Sequence, residues 1–129
     1  MISALLDKIP RLAWRLLAWL GVVVVMMLSL MTINVPEALD FWNADKLVHM
    51  SMYGSLMLCF SRGYARRHWL AIAIALGVLG ATVEFLQGLT PTRTPSVFDE
   101  IANLSGILIM LLLIRRNPDA DSPTSRQHS

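Results

Sequence analysis

The sequence predicts an all-α fold: a membrane-embedded bundle of four transmembrane helices with both termini on the cytoplasmic side. Three observations carry that expectation. The chain has 129 residues, of which 55% are hydrophobic, and its mean hydropathy is +0.55. The apolar residues fall in long blocks, not on alternating faces; residues 16–33 hold no charge, and 18 such residues suffice for a spanning helix. A soluble domain of this size could not hide several such blocks around one core. Finally, nine of the eleven Lys and Arg residues lie in three segments that share one side of a four-span chain. By the positive-inside rule that side is the cytoplasm.

The elements follow in order. Residues 1–11 form a cytoplasmic N-terminal segment, and the first helix covers about 12–33. A connector at 34–44 carries Pro36, Glu37 and Asp40. The second helix covers about 45–61 and contains His49, and Arg62-Gly-Tyr-Ala-Arg-Arg-His68 makes a basic turn. The third helix runs about 69–89 with Glu84 inside it. Thr90-Pro-Thr-Arg-Thr-Pro-Ser96 is a loop in which two prolines stop helix on both sides. The fourth helix covers about 97–114, and the membrane domain as a whole 12–116. Residues 117–129 are polar and read as a disordered cytoplasmic tail.

Composition excludes several classes. The net charge of +2 does not point to nucleic acid, because the basic residues flank apolar blocks and form no stripe with interleaved aromatics. Cys59 is the only cysteine, so no intramolecular disulfide forms, and it reads as packing. Lys8, Arg11 and Arg15 resemble the start of a secretory signal. The apolar run is too long for one, and Ser29-Leu-Met-Thr-Ile-Asn34 has no small-x-small cleavage site, so the first helix is expected to be retained. The expected location is the inner (cytoplasmic) cell membrane, as a multi-pass protein.

Two helices look short. Only 15 residues separate Lys46 from Arg62, or ~22 Å of helix against about 30 Å of hydrocarbon. The charge-free part of the fourth helix, 101–114, is shorter still. Polar groups at their outer ends then sit below the membrane surface, which calls for a wet, protein-lined pocket.

This topology brings candidate residues from distant parts of the chain to one depth. Asp45, Lys46 and His49 open the second helix, and Glu84 and Gln87 end the third. Arg93 lies in the outer loop, and Asp99, Glu100 and Asn103 begin the fourth helix. Asp45 and His49 are four apart and share a face. Glu84 and Gln87 share another, which runs inward through Ala81, Gly80 and Gly77; such small residues mark close helix approach, so Glu84 points into the bundle. Asp99, Asn103 and Gly106 form the matching stripe, with Glu100 about 100° away and facing water.

Ordinary structural roles compete for several of these residues. Ser96-Val-Phe-Asp99 fits a capping box, Asp45 an N-cap and Glu100 a first-turn acid. Arg93 can contact lipid phosphate, and Gln87 can satisfy a helix end. Glu84 resists such a reading, because a carboxylate after the uncharged run 69–83 is costly unless paired, protonated or wet. His49 is its expected partner, with Arg93 and Lys46 next, and a purely structural network of buried ion pairs competes with a functional site.

Asp45-Lys-Leu-Val-His49 with Tyr53, Glu84-Phe-Leu-Gln87, and Arg93-Thr-Pro-Ser96-Val-Phe-Asp99 with Asn103 and Gly106 together resemble the VanZ-like family of small membrane proteins. The resemblance covers roughly residues 40–114. It implies a membrane-helix domain and no assigned catalytic role; the family takes its name from a member associated with teicoplanin resistance, and nothing in this chain marks a resistance context.

Two functions are expected to compete. In the first, a membrane enzyme acts at the outer interface on a lipid or lipid-linked envelope precursor. His49, Glu84 and Asp99 are its candidate catalytic residues, and Arg93, Lys46, Asp45, Gln87 and Asn103 bind the ligand. In the second, a non-catalytic module recognises an anionic headgroup or peptide. A proton or ion pathway is weaker, because the inner halves of the helices lack polar steps. No cofactor and no metal are expected, since a divalent site from His49, Glu84 and Asp99 would have only one nitrogen ligand. The expected partners are membrane lipids, an anionic lipid-linked or peptide ligand, and a second copy of the chain; nucleic acid is not among them.

Overall fold

A computed structural model of the chain describes residues 1–31, 44–91 and 94–116. The described residues are mostly helical and contain no strand. A five-residue helix α1 (Ile2–Leu6) precedes four long ones: α2 (Arg11–Leu30), α3 (Ala44–Gly63), α4 (Trp69–Gly88) and α5 (Val97–Arg115). The expected connector after the first helix, Arg93 and the expected disordered tail lie outside the described residues.

Local chemistry explains the boundaries. Pro10 sits at the N-cap of α2 with φ −65° and ψ 149°, so the helix begins immediately after it. It stops at Leu30, where Met31 turns to an extended conformation, earlier than the expected residue 33. Between α3 and α4, Trp69 Nε1 donates to the carbonyls of Ser61 (3.2 Å) and Tyr64 (3.3 Å). One buried indole thus satisfies carbonyls that the C-terminal end of α3 leaves open.

The second helix is longer than its charge-free run suggested. α3 has 20 residues, about 30 Å at 1.5 Å per residue. It continues through Arg62, whose guanidinium pairs with Asp7 at 2.5 Å. α5 has 19 residues and also reaches its terminal arginine. The helices are therefore of ordinary length, and only their charge-free parts are short.

Three segments are long and apolar enough to cross a membrane: Arg11–Leu30, Arg66–Gly88 and Val97–Arg115. α3 is not among them, because Asp45, Lys46, His49 and Arg62 dilute it. It is instead the helix most enclosed by protein, packing chiefly on α5 and then on α2. Tyr53, Leu56, Met57 and Phe60 are buried on it and join Ala18, Val25, Leu76, Ile107 and Leu111 in one core. Cys59 is half-buried at the edge of that core with a free thiol, as expected of a packing residue. The outward faces of α2, α4 and α5 remain apolar, with Leu20, Val23, Ile74, Val78, Leu108 and Leu112 exposed. So much outward apolar surface suits lipid better than water.

α3 and α5 meet backbone to backbone. Gly54 lies against Gly106, where an added Cβ would come 3.3 Å from the Gly106 carbonyl oxygen. A Cβ on Gly106 would collide with the Met50 carbonyl. This contact sets the register of the two helices and fixes which polar residues meet at their N-terminal ends.

Candidate functional site

The N-terminal ends of α3 and α5 carry the first polar layer. Lys46 Nζ bonds Asp45 Oδ2 at 2.5 Å and Asp99 Oδ1 at 2.6 Å, which joins the two helices. A cation in a first helical turn opposes the helix dipole, and the flanking carboxylates offset that cost. Asp45 is exposed, and Asp99 is partly buried against α3.

One turn further in, His49 Nδ1 lies 3.0 Å from Asn103 Oδ1. Asn103 is 2% exposed, and its Nδ2 donates to Glu100 Oε2 at 3.1 Å. The network fixes its own proton positions. An ionised Glu100 only accepts, so in that state it takes the amide NH₂, which turns Oδ1 toward the histidine. Oδ1 also only accepts, so Nδ1 carries the hydrogen. Nε2 then faces Asp99 Oδ2 across 3.9 Å, too far for a direct hydrogen bond.

Glu100 is only partly exposed, less than the helical angle suggested. It reaches over Gly80 of α4: a Cβ there would stand 2.6 Å from Glu100 Oε2 and 3.0 Å from Asn103 Nδ2. The missing side chain on α4 makes room for both polar groups. Gly77 and Gly80 are buried on the face expected of them, whereas Ala81 is exposed and lies off it.

Glu84 is 8% exposed, and its Oε1 accepts the backbone N–H of Ser96 at 2.5 Å. Ser96 is the N-cap of α5 and makes no side-chain capping bond, so the expected capping box is not formed. In such a box the acid three residues on would take the N-cap N–H. That acid is Asp99, drawn away by Lys46, and Glu84 of α4 performs the task from outside the helix. His49 and Glu84 thus bond to Asn103 and to Ser96 instead of to each other.

Gln87 is buried toward α2, where its Nε2 donates to the Ser29 carbonyl at 2.6 Å. It ties the end of α4 to the last turn of α2. Tyr53 was not among the candidate site residues. It is 1% exposed, one turn inside His49 on the same face, and its hydroxyl has no hydrogen-bond partner among the described residues. Its four-residue spacing from His49 was the available signal. No set of three or more His, Cys, Asp or Glu residues is arranged to hold a metal ion among the described residues.

A family model described as VanZ/LLP1 matches residues 8–117, a range that spans α2 to α5. The chain belongs to the VanZ/LLP1 family. No curated protein and no solved structure matches it. Family membership and the apolar helices make this a multi-pass membrane protein.

In this VanZ/LLP1 protein the residues that carried the resemblance serve two junctions. Asp45, Lys46, His49, Asp99, Asn103 and Gly106 make the α3–α5 seam. Glu84 and Gln87 anchor α4 to the start of α5 and the end of α2. Lys46 is engaged by two carboxylates, Asp45 and Asp99. His49 Nε2 and Asp99 Oδ2 present two acceptors side by side, an arrangement suited to a group that donates a hydrogen bond.

Proposed function

We propose that this protein spans the cytoplasmic membrane four times, with both termini inside, and acts at its outer end on a lipid or lipid-linked envelope precursor. In this reading α3 is the fourth span, its polar turns sheltered by α2 and α5 in place of lipid. His49 is the working residue. The single observation that supports this is the chain Glu100–Asn103–His49, which holds Nδ1 as donor and leaves Nε2 as the available base. A ligand hydroxyl held by Nε2 and Asp99 Oδ2 would give its proton to Nε2 as its oxygen becomes the nucleophile, and the resulting imidazolium would be stabilised by Asp99. Asn103 and Glu100 position the ring, and Glu84 holds the α4–α5 junction in place.

A binding module is the second reading, and the same experiment separates the two. Protein in nanodiscs is incubated with a lipid extract of its own membranes, and bound and released lipids are compared by mass spectrometry for wild type and His49→Gln. The enzyme reading expects a lipid species altered by wild type only, with His49→Gln still folded and still retaining the unaltered species. Retention without alteration by either protein would leave the binding module. Alteration of the same lipids by both proteins would remove His49 from the function altogether.

A further inference from the structure

We propose that the groove between α2, α3 and α4 at the basic end of the bundle binds an anionic phospholipid. The groove has a volume of about 610 Å³ and lies at the opposite end of the bundle from His49. Val22, Phe60, Ile72 and Leu79 form its apolar wall, which suits an acyl chain, and Trp19, Tyr64 and His68 form its rim.

Two observations identify the headgroup. The rim is aromatic and hydrogen-bonded: Trp19 Nε1 donates to Tyr64 Oη at 3.0 Å, and Trp19 packs edge-on against Phe60 with centroids 5.3 Å apart. Such rings sit at headgroup level in membranes. Around them stand cations whose charge no carboxylate answers. The Arg15 guanidinium carbon lies 4.8 Å from the Tyr64 ring centre, and the Arg66 guanidinium carbon 5.8 Å from that of Trp69. Arg67 Nε donates to His68 Nε2 at 3.1 Å. Asp7, the nearby carboxylate, is taken by Arg62. Among the described residues none of Arg15, Arg66 and Arg67 forms an ion pair.

Apolar wall, aromatic rim and unanswered arginines together match a lipid phosphate above its acyl chain, and basic pockets between membrane helices hold anionic headgroups in this way. A second copy fits poorly, because two such rims would bring like charges together.

The test reconstitutes the full chain in phosphatidylcholine bilayers containing phosphatidylglycerol, with bromine on the acyl chains of one lipid or the other. Quenching by bromine is read as the difference between wild type and Trp19→Phe, which isolates Trp19. Brominated phosphatidylglycerol is expected to quench Trp19 at lower mole fraction than brominated phosphatidylcholine. Arg66→Gln and Arg67→Gln should each reduce that preference about fivefold. Should either variant fail to fold, the wild-type preference must still shrink as salt is raised. Equal quenching by the two lipids, or a preference insensitive to both arginines and salt, would overturn the assignment. So would protection of Trp19 from both lipids, which would mean that another protein surface covers the groove.

Discussion

Replacing Gly106 with alanine tests whether the α3–α5 contact builds the site. The new Cβ would overlap the Met50 carbonyl oxygen and come within 2.9 Å of its carbon and 3.1 Å of its Cα. All three atoms are backbone, so no side-chain rotation relieves the clash and the helices must separate. Overpacking of this kind costs about 1–3 kcal/mol. Separation also lengthens the 3.0 Å His49–Asn103 bond, for about 1 kcal/mol more. The expected loss is therefore about 3 kcal/mol, more than a hundredfold in the folded-to-unfolded ratio. Gly77→Ala is the control, because its Cβ would meet only the Leu104 Cδ2 methyl at 3.0 Å, which can move; it should cost under about 1 kcal/mol. Cys59, the single half-buried thiol, supplies the assay: its reaction with a maleimide dye in detergent reports unfolding on heating. If Gly106→Ala and Gly77→Ala unfold alike, the close crossing is not what holds α3 to α5.

Three further outcomes follow from the same geometry. Glu84→Ala strips the acceptor from the Ser96 N–H and should cost about 2 kcal/mol, whereas Glu84→Gln keeps an acceptor and should cost about half that; the Cys59 assay ranks them. Lys46→Met leaves Asp99 unpaired and should destabilise by about 1–2 kcal/mol, with part regained in Lys46→Met/Asp99→Asn, which a double-mutant cycle measures. Tyr53→Phe removes a buried hydroxyl with no partner, so stability should hold or rise by about 1 kcal/mol. A clear loss of stability in that variant would show that the hydroxyl is satisfied after all.

The helices were legible because apolar blocks and prolines mark them directly. The prolines of the 90–96 segment mark the end of α4 and the start of α5 nearly where they were expected. The inward face of Glu84 was legible from Gly77 and Gly80, since small residues at helical spacing have one common use in membranes. Pairing was not legible. Sequence spacing says which residues share a face of one helix, but not how two helices slide or turn against each other. The Gly54–Gly106 contact sets that, and it gave His49 to Asn103 in place of Glu84. Glu100 follows the same rule: its own helix turns it from the stripe, and the space that receives it belongs to Gly80 of α4. Ser96 and Asp99 looked like a self-contained cap until Lys46 and Glu84 competed for them.

The proposed site at the outer face requires α3 to cross the membrane, because His49 lies near the N-terminal end of that helix. In a Cys59→Ser background, single cysteines at Ala44, Arg67 and Thr90 are exposed to a membrane-impermeant maleimide on intact cells. Four spans with both termini inside predict that Ala44→Cys and Thr90→Cys label from outside and that Arg67→Cys labels only after permeabilisation. If Ala44→Cys and Arg67→Cys report the same side, α3 does not span and the proposed outer site is contradicted.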